Sequence, residues 1–333
     1  MENNLLKNLK TLNFILACLI VFHHAFNMDI SYTSNSLLSV TFIIERYMYN
    51  VSECAVPMFF FVSGYLFFRT YENTWGGYWY KLKRRFYSLL IPYVIFNTLG
   101  YIKHILFGGG TPDILGYFVS MIESSTMPLW FVRELMIFAL IAPVLYLLIQ
   151  NKKLFGVTCI AITILVFVGA AEYRTFIYWL PIYCAGGYFA QYGLLDKEPS
   201  GNYVFKKIYM CICTAVLLIS AWFLPNVAAD LTVEQNVIFY VFRIACVGVI
   251  LFWTAHLSLI TLPESTDCSF FIYCTHFPVI TLLQLILGKC FADDFKLQIY
   301  LITVIGAILI PMATAWILKR NMKGLWRVLN GGR

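Results

Sequence analysis

Charged residues are scarce in this chain. Only 12% of its 333 residues are Asp, Glu, Lys or Arg, whereas a soluble domain has about a quarter. Hydrophobic residues make up 60% of the chain, aromatic residues make up 18%, and the mean hydropathy is +0.75. A composition this poor in charge excludes an ordinary soluble protein, and we predict a polytopic membrane protein.

Several motifs with well-understood chemistry are also missing. The chain has no Walker phosphate loop, no GxSxG elbow, no HExxH motif and no intramembrane pair of aspartates. Its ten cysteines are scattered through the apolar segments, with no CxxC pair and no metal-ligand spacing. We interpret them as buried hydrophobic side chains and predict neither a disulfide framework nor a bound metal.

Apolar segments recur along the whole chain, each close to the roughly 20 residues that a helix needs to cross about 30 Å of hydrocarbon. The dyad alternation of a membrane β-barrel is absent. The sequence therefore predicts an all-α integral membrane bundle of about ten transmembrane helices, forming a single domain over residues 1–333. The predicted spans are residues 11–28, 53–69, 86–107, 129–150, 154–171, 175–193, 206–225, 236–260, 269–288 and 297–318.

Basic residues mark the expected cytoplasmic side. With the N-terminus inside, most of the 24 Lys and Arg residues fall in inner loops and in the C-terminal tail, as the positive-inside rule requires. Both termini are therefore expected in the cytoplasm, with longer loops at residues 29–52 outside and 70–85 inside. The net charge of +7 follows from this distribution, so no nucleic-acid partner is predicted.

Two adjacent histidines lie near the end of the first predicted span, in the stretch VFHHAFN of residues 21–27. Positions eleven apart share a helical face, so His24 lies on the same stripe as Asn13 and is expected to point into the bundle. His23 is expected at the flank of the helix, away from any chemistry. His24 is then either a buried, hydrogen-bonded structural residue or a neutral imidazole that acts as a general base.

Other ionisable residues inside the spans are few, and such residues usually face a protein or water-lined interior. Arg133 and Glu134 lie near the outer end of the fourth span, and Arg243 lies within the eighth. Either Glu134 pairs with an arginine, or these side chains contact a substrate. Tyr273 and His276 share a face of the ninth span and serve either helix packing or a site.

A basic cluster precedes the third span, in the stretch WYKLKRRFYSLLIPY of residues 79–93. The positive-inside signal alone explains such a cluster. A cytoplasmic phosphate-binding site is the alternative, because Arg forks and Lys charges suit phosphate oxygens. The cluster comprises Lys81, Lys83, Arg84 and Arg85.

Four stretches, taken in order, resemble the acyltransferase-3 family of membrane acyltransferases, which includes bacterial O-acetylases of surface and exported glycans. They are LKTLNFILACLIVFHH, VPMFFFVSGYLFF with the basic stretch KLKRRFYSLLIPY after it, LWFVRELMIF, and SFFIYCTHFPVI. The resemblance covers nearly the whole chain. It implies a multi-pass protein of a bacterial inner membrane with no tightly bound cofactor.

The resemblance also implies roles for individual residues. The family's essential histidine falls on His24, and the basic residue eleven positions before it is replaced here by Asn13. Either Lys10, three residues earlier on nearly the same face, substitutes for it, or the positioning role is lost. The family's basic motif, which engages acyl-CoA phosphates, corresponds to Lys83, Arg84 and Arg85. Its SG signature corresponds to Ser63, a packing or pocket residue, and to Gly64, which permits close helix approach.

The implied reaction uses acetyl-CoA or another acyl-CoA from the cytoplasm and a hydroxyl group of a glycan or lipid-linked sugar. His24 would take the hydroxyl proton as the oxygen attacks the thioester, although a covalent acyl-histidine is an open alternative. Arg133, Tyr273 and Asn13 are candidate donors to the developing oxyanion. The acyl group, the acceptor and the oligomeric state are not predicted.

Two other classes of function remain open. A transporter or flippase of a polar or lipid-linked substrate would use Arg133, Glu134 and Arg243 as its pathway and would not need CoA. A catalytically decayed family member would bind no acyl-CoA, and the replacement at Asn13 favours that interpretation.

Overall fold

The computed structural model describes residues 2–26, 40–108, 110–195, 203–225, 232–257, 259–291 and 296–332. Every regular element within these ranges is a helix. The chain divides into two compact units, one formed by Met1–Asn73 with Ala142–Pro263 and the other by Thr74–Ile141 with Glu264–Arg333. The all-helical prediction is confirmed, and the single membrane domain over residues 1–333 stays a prediction.

The described residues of unit 1 form eight helices. They are α1 (Glu2–Ala25), α2 (Val40–Ser52), α3 (Ala55–Arg69), α8 (Ala142–Gln150), α9 (Lys152–Phe167), α10 (Phe176–Gln191), α11 (Tyr203–Phe223) and α12 (Val233–His256). Helix α1 packs against α2, α3 and α12, and α3 packs along α10. Part of the expected outer loop is therefore helical, since α2 covers residues 40–52; residues 29–39 of that loop lie outside the described residues.

Unit 2 contains α4 (Trp75–Arg85), a π-helical segment (Phe86–Leu90), α5 (Ile91–Phe107), α6 (Ile114–Glu123), α7 (Trp130–Leu140), a short 3₁₀ turn (Glu264–Thr266), α13 (Ser269–Cys290), α14 (Lys296–Asn321) and α15 (Lys323–Leu329). The sequence predicted a loop at residues 70–85, but most of this stretch forms helix α4. Its N-cap is Thr74, whose hydroxyl accepts from the Gly77 amide, and its basic last turn runs without a break into the π-helical segment.

Seven helical runs in the described residues are long and apolar enough to cross a membrane, and the bent pair α7 and α8 is an eighth if its two helices form one span. The predicted spans at 154–171 and 175–193 form helices of 16 residues each, α9 and α10, which are shorter than the other candidates. The count of ten and the cytoplasmic position of the termini stay predictions. The seven runs are Asn4–Ala25, Val40–Arg69, Trp75–Phe107, Phe205–Phe223, Val233–His256, Ser269–Cys290 and Lys296–Asn321.

Polar side chains of unit 1 cap the ends of neighbouring helices. Asn8 on α1 donates to the carbonyls of Thr254 (2.8 Å) and Leu257 (2.6 Å), at the C-terminus of α12. On α2, Asn50 donates to the carbonyl of Ala221 at 2.9 Å, in the last turn of α11. The last carbonyls of a helix have no partner within it, so these bonds satisfy groups that lipid could not, and they fix α1 and α2 against their neighbours.

Helices α3 and α10 approach each other so closely that their contact requires glycine. A Cβ atom at Gly64 would lie 2.0 Å from the carbonyl oxygen of Tyr183, and one at Gly186 would lie 2.0 Å from the carbonyl oxygen of Phe61. Both obstructing atoms belong to the backbone, which cannot rotate away. The prediction that Gly64 permits close helix approach is confirmed.

We expect Gly64→Ala to destabilise unit 1 by about 1–3 kcal/mol or more, since overpacking forces the two backbones apart. The measurement is thermal unfolding of the detergent-solubilised chain. Gly156→Ala is the matched control, because a Cβ at Gly156 on α9 meets nothing within 4 Å. Equal melting temperatures for Gly64→Ala and the native chain would contradict the packing argument.

Candidate active site

His23 lies in a polar cluster of unit 1 rather than on a bare helix flank. Its imidazole stacks on Tyr49, with ring centroids 4.1 Å apart and an interplanar angle of 25°. Its Nδ1 lies 3.1 Å from Oγ of Ser52 and 3.8 Å from Oε1 of Glu53. The expected position of His23 is thus corrected: α1 is covered by α2, α3 and α12, so more than one of its faces is enclosed.

Glu53 is held in this cluster by a buried ion pair. It occupies the two-residue turn between α2 and α3. Its Oε2 accepts a hydrogen bond from Nε of Arg243 on α12 at 2.8 Å and lies 2.7 Å from Nη2 of the same guanidinium. The Arg243 Nη1 donates to the hydroxyl of Tyr178 at 2.6 Å. Glu53 and Arg243 are only 4% and 2% exposed, and at such burial a charge persists only with a close partner.

Aromatic rings surround the Arg243 guanidinium. Its carbon lies 4.2 Å from the ring centroid of Tyr173 and 5.1 Å from that of Phe239, which adds cation–π attraction to the ion pair. Burial and, secondarily, the carboxylate of Glu53 raise the pKa of Tyr173, in the connection before α10. The Tyr173 hydroxyl therefore stays protonated at physiological pH and adds no negative charge to the cluster.

His24 and Asn13 are both half-buried on α1. The rings of His23 and His24 meet edge to face, with centroids 5.0 Å apart. The two imidazoles are therefore neighbours in space as well as in sequence, and the carboxylate of Glu53 lies on the His23 side of the pair. The catalytic role of His24 stays a prediction.

Arg133 and Glu134 form an ion pair in unit 2. Nε and Nη2 of Arg133 lie 2.8 and 2.6 Å from Oε1 of Glu134, and Nη1 donates to the carbonyl of Ile122 at 2.7 Å. Of the two interpretations of Glu134, its pairing with an arginine is observed, and the arginine is its neighbour Arg133 rather than Arg243. A contact of this pair with a substrate stays a prediction.

Tyr273 and His276 are neighbours on α13, with ring centroids 5.9 Å apart. The Tyr273 hydroxyl donates its one proton to the carbonyl of Pro128 at 2.9 Å, which ties α13 to the start of α7. Nδ1 of His276 lies 2.6 Å from the carbonyl of Tyr273; because a carbonyl only accepts, this nitrogen carries hydrogen. Both contacts serve helix packing, and a role of the two residues in a site stays a prediction.

The basic cluster occupies the last two turns of α4. Lys83 and Arg84 are exposed, Arg85 is half-buried, and Lys81 is 9% exposed. The Arg84 guanidinium lies 5.7 Å from the ring centroid of Tyr80. Two exposed cations one residue apart are accessible to an anionic ligand. In unit 1, Ser63 is half-buried on α3, beside Gly64.

A family model described as an acyltransferase domain matches residues 6–320. The chain belongs to the acyltransferase-3 family. No curated protein and no solved structure matches it. Among the described residues, no group of three or more His, Cys, Asp or Glu side chains could hold a metal ion. The family match, together with the apolar helices, identifies the chain as a membrane acyltransferase.

Sequence reasoning missed several members of the unit 1 cluster, including Glu53 and Tyr178. Glu53 stands at the first position of the second predicted span, where a carboxylate reads as part of the preceding loop. Its partner Arg243 is 190 residues away, so no local period joins them. One signal was present in the stretch NVSECAVPMFFF. A lone acidic residue flanked by membrane helices on both sides, as Glu53 is here, needs a buried cation as its partner.

Proposed function

We propose that this membrane acyltransferase transfers an acetyl or other short acyl group from acyl-CoA to a hydroxyl group of a glycan or lipid-linked sugar. The observation that carries the proposal is the histidine pair, which ends an apolar helix in a chain that matches an acyltransferase domain over residues 6–320. An imidazole near neutral pH suits the removal of a hydroxyl proton.

In the proposed reaction His24 takes the proton of the acceptor hydroxyl as its oxygen attacks the thioester carbonyl, and the proton then passes to the departing CoA thiolate. Asn13 lies eleven residues before His24 on the same helix, about 16 Å away at 1.5 Å per residue, which is too far for its amide to donate to an oxyanion that forms at His24. Arg133 and Tyr273 are the remaining candidates for that role. Arg133 already donates to Glu134 and to the carbonyl of Ile122, and Tyr273 already donates its one proton to the carbonyl of Pro128.

The donor is proposed to bind through its phosphates to Lys83, Arg84 and Arg85, with Lys81 adding positive charge. These residues follow the aromatic first turns of α4, which suit a membrane interface. With the cytoplasmic termini and ten spans proposed from the sequence, this cluster faces the cytoplasm, where acetyl-CoA is made. The proposed location is a bacterial inner membrane.

The function is tested in the native host with three strains, which carry the native chain, a Lys83→Gln/Arg84→Gln variant or an empty vector. Alkali-labile acetyl esters on the surface glycans are measured by mass spectrometry at matched membrane levels. We expect the native chain to add an ester that the vector strain lacks. In isolated membranes, we expect the variant to raise KM for acetyl-CoA by at least about tenfold, because it loses two charge-assisted contacts.

The outcomes separate the competing functions. Identical glycan esters in the native and vector strains would overturn the acyltransferase proposal in favour of a transporter or a decayed enzyme. A native ester with an unchanged KM in the variant would instead overturn only the assignment of the donor site. Lys152→Gln/Lys153→Gln, which removes two exposed lysines of unit 1, is the control for lost positive charge.

A further inference from the structure

Glu53 has no role in the function proposed so far, although it joins the histidine pair to a buried cation. Only one of its oxygens, Oε2, is bonded to Arg243. The other, Oε1, faces Nδ1 of His23 at 3.8 Å. An ion pair that served packing alone would gain from a bidentate contact, whereas here one carboxylate oxygen is directed to the histidine.

Ser52 determines which nitrogen of His23 carries hydrogen. The Ser52 hydroxyl donates to the carbonyl of Tyr49 at 2.5 Å. A hydroxyl has one proton and a carbonyl only accepts, so Oγ of Ser52 must accept from Nδ1 of His23, 3.1 Å away. In a neutral His23 the proton is therefore on Nδ1, and Nε2 carries the lone pair.

The ring of His23 is also fixed in its plane by the stack on Tyr49. Its Nε2 makes no hydrogen bond with the residues that the structure describes, and the side chain is 19% exposed. His23 is thus a fixed imidazole in contact with His24. Its Nδ1 proton is bonded to Ser52, and a carboxylate oxygen lies 3.8 Å from the same nitrogen.

We propose that Glu53 is a positioning residue for acyl transfer, acting through His23 on the histidine pair. This inference rests on the function proposed above. When the acceptor oxygen attacks the thioester carbonyl, its O–H bond breaks and the proton passes to His24 of the pair. When the C–S bond breaks, the pair returns that proton to the CoA thiolate, so the pair is cationic only between the two steps.

The carboxylate of Glu53 stabilises that transient cation, because opposite charges attract strongly where water is scarce. Arg243 and Tyr178 keep the carboxylate in place. Any pH dependence of the pair reflects all the charged and titratable groups that face His23 from the packed elements, namely Tyr49, Glu53, Tyr173, Arg174, Tyr178 and Arg243, together with His24.

The test uses the full chain in lipid nanodiscs, with acetyl-CoA as the donor and the host's glycan fraction as the acceptor. The variants are Glu53→Gln, His23→Ala and the two combined. A fourth variant, Glu53→Gln/Arg243→Met, removes both charges and so avoids an unpaired buried cation. Glu234→Gln is the control, because it makes the same exchange at an exposed position in the first turn of α12.

We expect Glu53→Gln and Glu53→Gln/Arg243→Met to lower kcat by at least about tenfold while KM for acetyl-CoA stays unchanged. Adding Glu53→Gln to His23→Ala should cause no further loss, because Glu53 acts through that ring. The rate of the native chain falls as the pair is protonated in acid. In Glu53→Gln this fall should occur at lower pH, because a pair without the carboxylate is harder to protonate.

Native kcat in folded Glu53→Gln/Arg243→Met would overturn the inference and leave the proposed function intact. If Glu53→Gln lowered kcat by the same factor in the native chain and in the His23→Ala variant, the route through His23 would be overturned. No ester formation by the native chain would overturn the proposed function, and the inference with it.

Discussion

Replacement of His24 by alanine is expected to reduce the glycan ester formed by this acyltransferase by about 10²–10⁴-fold, the usual contribution of a general base. The family match over residues 6–320 and the edge-to-face contact with His23 motivate this expectation. The readout is the alkali-labile acetyl ester on the host's glycans, at membrane levels matched by immunoblot.

A matched substitution guards against a general effect of losing an imidazole. His104→Ala removes an exposed histidine near the end of α5, and we expect the native ester level in that strain. If His24→Ala retained the full ester, His24 would have no part in the transfer, and the base would have to be another group of the unit 1 cluster.

Arg243→Met is expected to destabilise the protein by about 3–5 kcal/mol, because it leaves the Glu53 carboxylate buried without its cation. The double variant Glu53→Gln/Arg243→Met should recover most of this loss, since removal of both partners of a buried pair is often nearly neutral. The measurement is thermal unfolding in detergent, followed with a thiol-reactive dye that reports exposure of the buried cysteines, which include Cys54 and Cys246.

Arg320→Met provides the comparison for this experiment. Arg320 is exposed near the end of α14 and lies over the ring of Trp316, so its loss should change the melting temperature little. A melting temperature for Arg243→Met equal to that of Arg320→Met would show that the buried pair contributes nothing to the fold. A double variant no more stable than Arg243→Met alone would contradict the account of an uncompensated carboxylate.

The class of fold was predictable from the sequence because composition alone decides it. Scarce charge and recurring apolar segments require helices in a bilayer, and the described residues form only helices. The close contact at Gly64 was predictable too, because the family resemblance singles out this glycine and a small residue lets two membrane helices approach closely. Helix α4 was missed because its sequence mixes cations with aromatic residues, so a search for apolar runs passes over it.

The arrangement of the site was less predictable. An argument from helical periodicity assigns to α1 a single face that points into the bundle. In the structure this helix contacts several neighbours, so His23 is enclosed as well. The pairing of Arg243 with Glu53 depends on tertiary contacts between α12 and the turn after α2. Residues that come into contact only in the folded bundle have no fixed spacing in the sequence, so a sequence pattern cannot reveal their pairing.

The separation of 190 residues between Glu53 and Arg243 also sets an order of events during biosynthesis. At about 5–20 residues per second, a ribosome needs roughly 10–40 s to make the chain between them. Throughout that interval the nascent segment carrying Glu53 has no Arg243 to neutralise it. Unit 1 can therefore complete its packing only after α12 has been synthesised. Until then the carboxylate of Glu53 must be hydrated, protonated or shielded by the insertion machinery.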